Sequence, residues 1–232
     1  MYRPSIIMAL LVFSTEFDLL LCHLKDLGEK NDTMSVLFQE FEDRVLGGES
    51  TTLHEYPFNV QFFNYGGMCG GSILTRKTVL TAAHCFDHNK NVAEMTVISN
   101  SLYIRHARTS RRHPVWDFVI HEKYDDPIKY ANDMAMIIIH DVFNLTETVQ
   151  MAVLTNSIAW MNETKAKFIA TGWGIVEMRR RALQKTTLRY VPNKECSDMN
   201  ALQLTEGMFC LYGDQQRDTC RGDSGGGIVW NK

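Results

Sequence analysis

Residues 218–232 read DTCRGDSGGGIVWNK. An aspartate–serine pair, Asp223-Ser224, stands between Gly222 and the run Gly225–Gly227, with Cys220 just upstream and the apolar "IVW" just downstream. The glycines let the backbone turn tightly around Ser224, so that amide hydrogens can converge on one point. A serine hydroxyl is a poor nucleophile at neutral pH. It becomes effective beside a base that a buried carboxylate orients, with amide donors aimed at the developing oxyanion. Taken alone, Gly-Asp-Ser-Gly is also plain turn composition, so the reading depends on what lies upstream.

Two upstream stretches bear on it. "LTAAHC" at 80–85 sets His84 after a strand-like run, with Cys85 beside it to pin the backbone. His84 is one of eight histidines, and a surface or satisfied core histidine fits this stretch equally well. "NDMAMIII" at 132–139 puts Asp133 directly before a strongly apolar run. A carboxylate at the mouth of a buried strand needs a partner, because burying it unpaired is expensive. A structural salt bridge meets that need as well as a catalytic one does.

Outward from these stretches the texture is all-β. "YPFNVQFF", "GSILTRKTVLTAA", "MAMIII", "KFIATGW" and "GIVW" are short runs rich in β-branched and aromatic residues, separated by Gly, Asn, Asp or Pro. Such a pattern predicts a barrel or sandwich. Net charge is −3, from 24 basic and 27 acidic residues, which gives no reason to expect nucleic acid or an anionic membrane as partner. The "RR" at 111–112 and "RRR" at 179–181 read as exposed loop charge.

The first residues differ. Arg3 and the apolar run Ile6–Phe13, interrupted by Glu16 and Asp18, read as a signal peptide over 1–21 and not as a membrane span. A charged segment, 23–44, follows without strand patterning and reads as a short helix or a disordered leader. The even cysteine count, six, after a signal-like start predicts disulfides and an extracellular destination. No CxxC pair occurs, so a zinc site is not expected. Sequons at Asn31, Asn144 and Asn162 agree weakly with secretion.

The order His84, Asp133, Ser224, inside these three contexts, resembles the chymotrypsin-like serine proteases of the trypsin family. "RVLGG" at 44–48 is similar to that family's activation junction, "CGGSILTRKTVLTAAHC" at 69–85 to its histidine region, and "TGWG" at 171–174 to its Gly-Trp-Gly strand; "MFC" at 208–210 and "DTCRGDSGG" at 218–226 complete the match. The resemblance covers nearly all of 45–232. It implies two antiparallel β-barrels, 45–152 and 153–232, with the active site in the cleft between them.

It also implies roles. Ser224 is the nucleophile, His84 the general base and acid, and Asp133 the group that orients His84. The amides of Gly222 and Ser224 form the oxyanion hole. Asp218, six residues before Ser224, forms the floor of the specificity pocket and favours Arg or Lys before the cut. The segment 22–44 is then an activation propeptide, and cleavage at Arg44-Val45 by a trypsin-like activator frees the Val45 ammonium to pair with Asp223 and order the oxyanion loop. That role outweighs the integrin-type "RGD" spelled at 221–223. Cys69–Cys85 and Cys196–Cys210 are the implied disulfides. No metal or other cofactor is required. The implied partners are protein or peptide substrates, the activating protease and protease inhibitors, on a secreted monomer.

Two departures bear on activity. Gly227 replaces the proline that commonly ends the serine motif. The family also continues past the position of Lys232, into strands and pocket walls that follow the serine. An incomplete second barrel, an unmatched Cys220 and little activity from 45–232 alone are therefore expected, with Cys22 as the remaining cysteine. The alternative reading is a catalytically impaired, protease-like binding protein.

Overall fold

The computed structural model describes residues 5–7, 10–11, 48–105, 108, 110–155, 166–174, 182–200, 203–213 and 222–231. Most of the expected leader, the Arg44-Val45 junction, Asp218, Cys22, Cys220, the "RRR" at 179–181 and the sequons at Asn31 and Asn162 lie outside the described residues.

Strands are numbered in chain order: β1 Ser5–Ile7, β2 Leu10–Leu11, β3 Glu49–Ser50, β4 Asn59–Asn64, β5 Gly67–Ile73, β6 Thr78–Thr81, β7 Met95–Ser99, β8 Arg111–Ile120, β9 Ala135–Ile139, β10 Val153–Leu154, β11 Lys167–Gly172, β12 Gln184–Val191, β13 Met208–Tyr212 and β14 Ile228–Asn231. Among the described residues one α-helix, α1, spans Asn193–Asn200. Strands β4 to β9 close an antiparallel barrel in the order β4-β5-β6-β9-β8-β7.

Alternation explains the barrel. Along β4, Val60 and Phe62 point inward and are fully buried with Ile73, Val79, Phe86, Val97, Ile137 and Phe143. Phe62 and Phe86 lie 5.1 Å apart, and Phe86 stacks on Phe118 at 4.4 Å. Each such ring, once buried, contributes about 1.5–3 kcal/mol relative to exposure. The outward residues Gln61 and Phe63 are also buried, because segment 100–105 crosses over them. Gln61 Nε2 donates to the Tyr103 carbonyl (3.0 Å), and its Oε1 accepts from the Arg105 amide (3.1 Å). Both ends of a buried amide are thereby satisfied.

One buried polar set braces the barrel wall. His113 is fully buried, with Nε2 2.8 Å from Ser99 Oγ and Nδ1 2.8 Å from Asp141 Oδ1. Arg111 meets the other Asp141 oxygen at 2.8 Å. Burial lowers the His113 pKa and outweighs the hydrogen bond and charge of Asp141. The ring is therefore neutral at pH 7, donating from Nδ1 and accepting from the serine hydroxyl. The "RR" at 111–112, expected in a loop, opens strand β8; both side chains are exposed as expected.

The second unit is an open, mostly antiparallel sheet with β14, β11, β12 and β13 side by side, which agrees with the incomplete second barrel expected. Its core is Phe168, Leu188, Phe209, Leu211, Ile228 and Trp230. β1 pairs with β14 and β10, and β2 with β13, so parts of the expected leader border this sheet. β3, within the span expected for the first barrel, pairs with β12. The implied Cys196–Cys210 disulfide is present and ties α1 to β13. Leu53, Phe63, Met68, Ile98, Trp173 and Leu183 fill the seam between the two units. Two bonds to the Leu102 carbonyl close it, from Trp173 Nε1 (3.0 Å) and the Leu183 amide (2.8 Å).

Candidate active site

Strand register brings His84 to Asp133. β6 and β9 run antiparallel with Thr81 opposite Ala135. Residues just past the end of β6 therefore face residues just before the start of β9. His84 sits there in a 3₁₀ turn, Ala83–Phe86, and the Cys69–Cys85 disulfide ties that turn to β5.

Asp133, 6% exposed, accepts two hydrogen bonds from the same residue. The His84 amide donates to Oδ1 at 2.7 Å, and ring Nδ1 donates to Oδ2 at 2.6 Å. The carboxylate thus fixes the ring's tautomer as well as its direction: Nδ1 carries the proton and Nε2 keeps a lone pair. Burial pulls the His84 pKa down, but the hydrogen bond and charge of Asp133, with the charge of Asp87, outweigh it and the net shift is upward. The Tyr130 ring stands edge-on to the imidazole with centroids 6.1 Å apart. Its backbone is in the left-handed region (φ 62°), and its amide donates to Asp125 Oδ1 at 2.6 Å.

The serine loop docks on the same spot from the second unit. The Gly70 amide of β5 donates to the Ser224 carbonyl at 2.7 Å. Gly225, at φ 78°, presses so closely on the end of β6 that a Cβ there would lie 2.3 Å from Thr81 Oγ1 and 2.8 Å from both the Ala82 nitrogen and the Gly70 oxygen. Ala82 is two residues from His84, so the half-buried Ser224 is carried to the histidine's side. Gly222 also has a positive φ, 92°. The Gly226 amide closes the turn on the Asp223 carbonyl at 2.9 Å. Asp223, 6% exposed, accepts from the Gly174 amide at 2.9 Å, and its carboxylate packs where a side chain at Gly172 would stand.

Of the expected site residues, His84 and Asp133 are bonded to each other, and the loop that carries Gly222, Asp223 and Ser224 packs on β5 and the end of β6. Arg44, Val45 and Asp218 lie outside the described residues. Sequence reading missed Gly70, Thr81 and Tyr130. The doubled glycine of "CGGS" was the available signal for Gly70; nothing local marks the other two. Cys69, His84 and Cys85 lie together with metal-ligand spacing, but both sulfurs are in the disulfide and supply no thiolate.

A closed antiparallel barrel joined to a second sheet, with a carboxylate-held histidine beside a glycine-wrapped serine, defines the class of two-barrel serine hydrolases. A family profile described as Trypsin matches residues 45–232, and the chain belongs to that family of serine proteases. It is 27% identical over 200 residues to kallikrein 1-related peptidase b3 of Mus musculus (81% of this chain, 76% of the relative). With hypodermin-A of Hypoderma lineatum identity is 28% over 224 residues, or 93% and 84% of the two chains. With granzyme M of Rattus norvegicus it is 28% over 210 residues, or 86% and 79%. Among solved structures, neuropsin, a serine protease expressed in the limbic system of mouse brain, superposes with a TM-score of 0.69 at 26% identity, covering 80% of this chain and 82% of neuropsin. The reaction class is peptide-bond hydrolysis of the serine type.

A pH dependence follows from the histidine. Its base form is lost as pH falls through its pKa, which lies above the ordinary 6.5. The acid limb of kcat/KM is expected to be centred above pH 6.5, and Asp133→Asn is expected to move the midpoint down. A limb centred well below 6.5 in the parent protein would contradict this electrostatic picture.

Proposed function

We propose that this chain is a secreted serine endopeptidase zymogen which, once cut at Arg44-Val45, hydrolyses peptide bonds after Arg or Lys. The observation that carries the reading is the double hydrogen bond from His84 to Asp133 beside the Ser224 loop. Nε2, the basic nitrogen, takes the Ser224 proton as Oγ attacks the scissile carbonyl carbon. The carbonyl oxygen becomes an oxyanion received by the amides of Gly222 and Ser224. As the C–N bond breaks, the imidazolium gives its proton to the leaving amine, and an acyl-Ser224 remains. Water, deprotonated by His84, then releases the acid and restores the serine.

Activation rests on Asp223. A carboxylate this deeply buried calls for cationic or amide partners. The Gly174 amide is one; the freed Val45 ammonium is another in this reading. The specificity assignment rests on Asp218, whose carboxylate attracts a guanidinium or ammonium at the pocket floor. An activating trypsin-like protease and protein substrates are the corresponding partners. The exposed sequon at Asn144 agrees with passage through the secretory pathway.

The test is made on the full chain, secreted from a eukaryotic host and treated with trypsin. Amino-terminal sequencing is expected to give Val-Leu-Gly-Gly, with fluorophosphonate labelling of Ser224 only after the cut. Profiling on a peptide library is expected to show cleavage after Arg and Lys, and Asp218→Ser is expected to remove that preference while labelling persists. Absent labelling would overturn the enzymatic reading in favour of a binding protein. Unchanged preference in Asp218→Ser would place the specificity charge elsewhere.

A further inference from the structure

One stretch of the first barrel is rich in cations. Between Glu94 and Asp117 the chain carries Arg105, Arg108, Arg111 and Arg112 and no acidic residue, although the protein as a whole is net negative. The fold brings two more to Arg111 and Arg112. Arg76 and Lys77 form the β5–β6 turn, where the Arg76 carbonyl accepts from the Phe143 amide (2.8 Å), the Lys77 carbonyl from the Ile139 amide (3.0 Å), and the Pro114 carbonyl from the His140 amide (3.0 Å). The turn, the start of β8 and the end of β9 therefore meet at one end of the barrel. Arg76, Lys77, Arg111 and Arg112 are all exposed there. Arg111 is paired with Asp141. Among the described residues, no carboxylate lies within ion-pair distance of Arg76, Lys77 or Arg112.

Apolar surface continues directly from this cluster. The alternation of β8 buries His113 and Val115 and turns Arg112, Pro114 and Trp116 outward. Trp116 is 62% exposed, and its only ring contact among the described residues is edge-on to His140 at 4.7 Å. Beyond the bulge at Trp116, Val119 sits opposite Met136, and both are more than two-fifths exposed. Asp117, also exposed, lies between.

We propose that the outer face of β8 and β9, with the β5–β6 turn, is a docking surface for an acidic protein segment that carries an aromatic or aliphatic anchor. The cations meet its carboxylates, and Trp116, Val119 and Met136 receive the anchor. Exposed Trp, Arg and Met are the side chains enriched at protein interfaces; a sulfated polysaccharide engages the cations and leaves this apolar strip uncovered. The surface is separate from the catalytic groups. Asp133 precedes β9 and His84 follows β6, whereas the cluster lies past the other ends of both strands. The five residues of β9 alone span about 17 Å. Segments bound here extend recognition beyond the residues beside the scissile bond.

The probe is a fluorescein-labelled peptide, Asp-Glu-Phe-Glu-Asp-Leu-Glu-Asp, which contains no Arg or Lys and so tests docking independently of cleavage. Anisotropy is measured with the full chain and with its Ser224→Ala form. Binding is expected in both, to weaken as salt rises, and to fall about tenfold or more in Arg112→Ala and in Arg76→Ala/Lys77→Ala. Trp116→Ala, at an exposed position that leaves the core intact, is expected to weaken the peptide and to leave heparin binding unchanged. Turnover of a small chromogenic peptide is expected to be the same in all of these surface variants. No binding to the full chain would overturn the proposal. So would affinity indifferent to the arginine variants. Loss of heparin and peptide binding in the arginine variants with no effect of Trp116→Ala would reduce the surface to a site for polyanions in general and overturn the assignment to a protein segment.

Discussion

Replacing Ser224 or His84 by alanine in the activated chain is expected to lower kcat by roughly four to six orders of magnitude, with little change in KM for a small peptide. The size follows from interdependence. Without His84 no base removes the Ser224 proton during attack, and without Ser224 the oriented imidazole has nothing to activate. The double variant is therefore expected to lose scarcely more than either single one, the sign of groups that act as a unit. Residual turnover comes from binding and from the amide donors of the serine loop. Asp133→Ala joins this set for another reason: it removes both bonds that hold His84, from its backbone amide and from its ring. Single-turnover assays against the parent protein check the set. A loss under tenfold in Ser224→Ala would show that another group performs the attack.

The second large effect is expected at Gly225, where a single methyl group would be added. An added Cβ meets Thr81 Oγ1 at 2.3 Å and two main-chain atoms, the Ala82 nitrogen and the Gly70 oxygen, at 2.8 Å. Thr81 is fully buried and itself donates to Gly70 O at 2.8 Å, so its hydroxyl has no cheap retreat. The backbone is also in the left-handed region, φ 78°. Crowding and conformational strain together come to about 2–5 kcal/mol, a fall in Tm on the order of 10 °C. The activity loss is larger in proportion. The loop relieves the clash by lifting off β5, which moves Ser224 relative to His84; a displacement on the order of 1 Å costs about a hundredfold in rate. Gly225→Ala is therefore expected to lose two orders of magnitude or more in kcat. Gly66→Ala is the control. Its φ is similar, 85°, but nothing lies within 4 Å of the added carbon, so only the strain remains and activity is expected to hold. Equal activity losses in the two variants would show that contact with β5 and β6 is not what seats the serine loop.

The legible part of the site was the part written in short contexts. Ser224 among glycines, His84 before Cys85 and Asp133 before an apolar run each carry a local reason for being there, and their order supplied the rest. Strands β4, β9, β11 and β14 were visible for a similar reason, as dense apolar runs. β8 was not, because its outward half is Arg111, Arg112, Pro114, Trp116 and Asp117, which resembles a loop until the buried partners His113 and Val115 are known. α1 was hidden by its composition: "NKECSDMN" is polar and is tied down by one disulfide more than by an apolar face. The seat of Ser224 on Gly70 joins residues more than 150 positions apart, and the crossing of segment 100–105 beneath Trp173 joins two units. Such pairings are set by register and packing, which no stretch of sequence states alone.

Ser99, His113 and Asp141 are bonded hydroxyl to Nε2 and Nδ1 to carboxylate, the order proposed for the catalytic set. Yet the fully buried ring and the 3%-exposed Ser99 leave no path for a peptide carbonyl. The same three residue types thus serve this molecule as a strut. What separates a catalyst from a brace here is admission of the substrate, so a diisopropyl fluorophosphate molecule, which reads accessibility as well as geometry, is expected to mark one of the two serines and pass over the other.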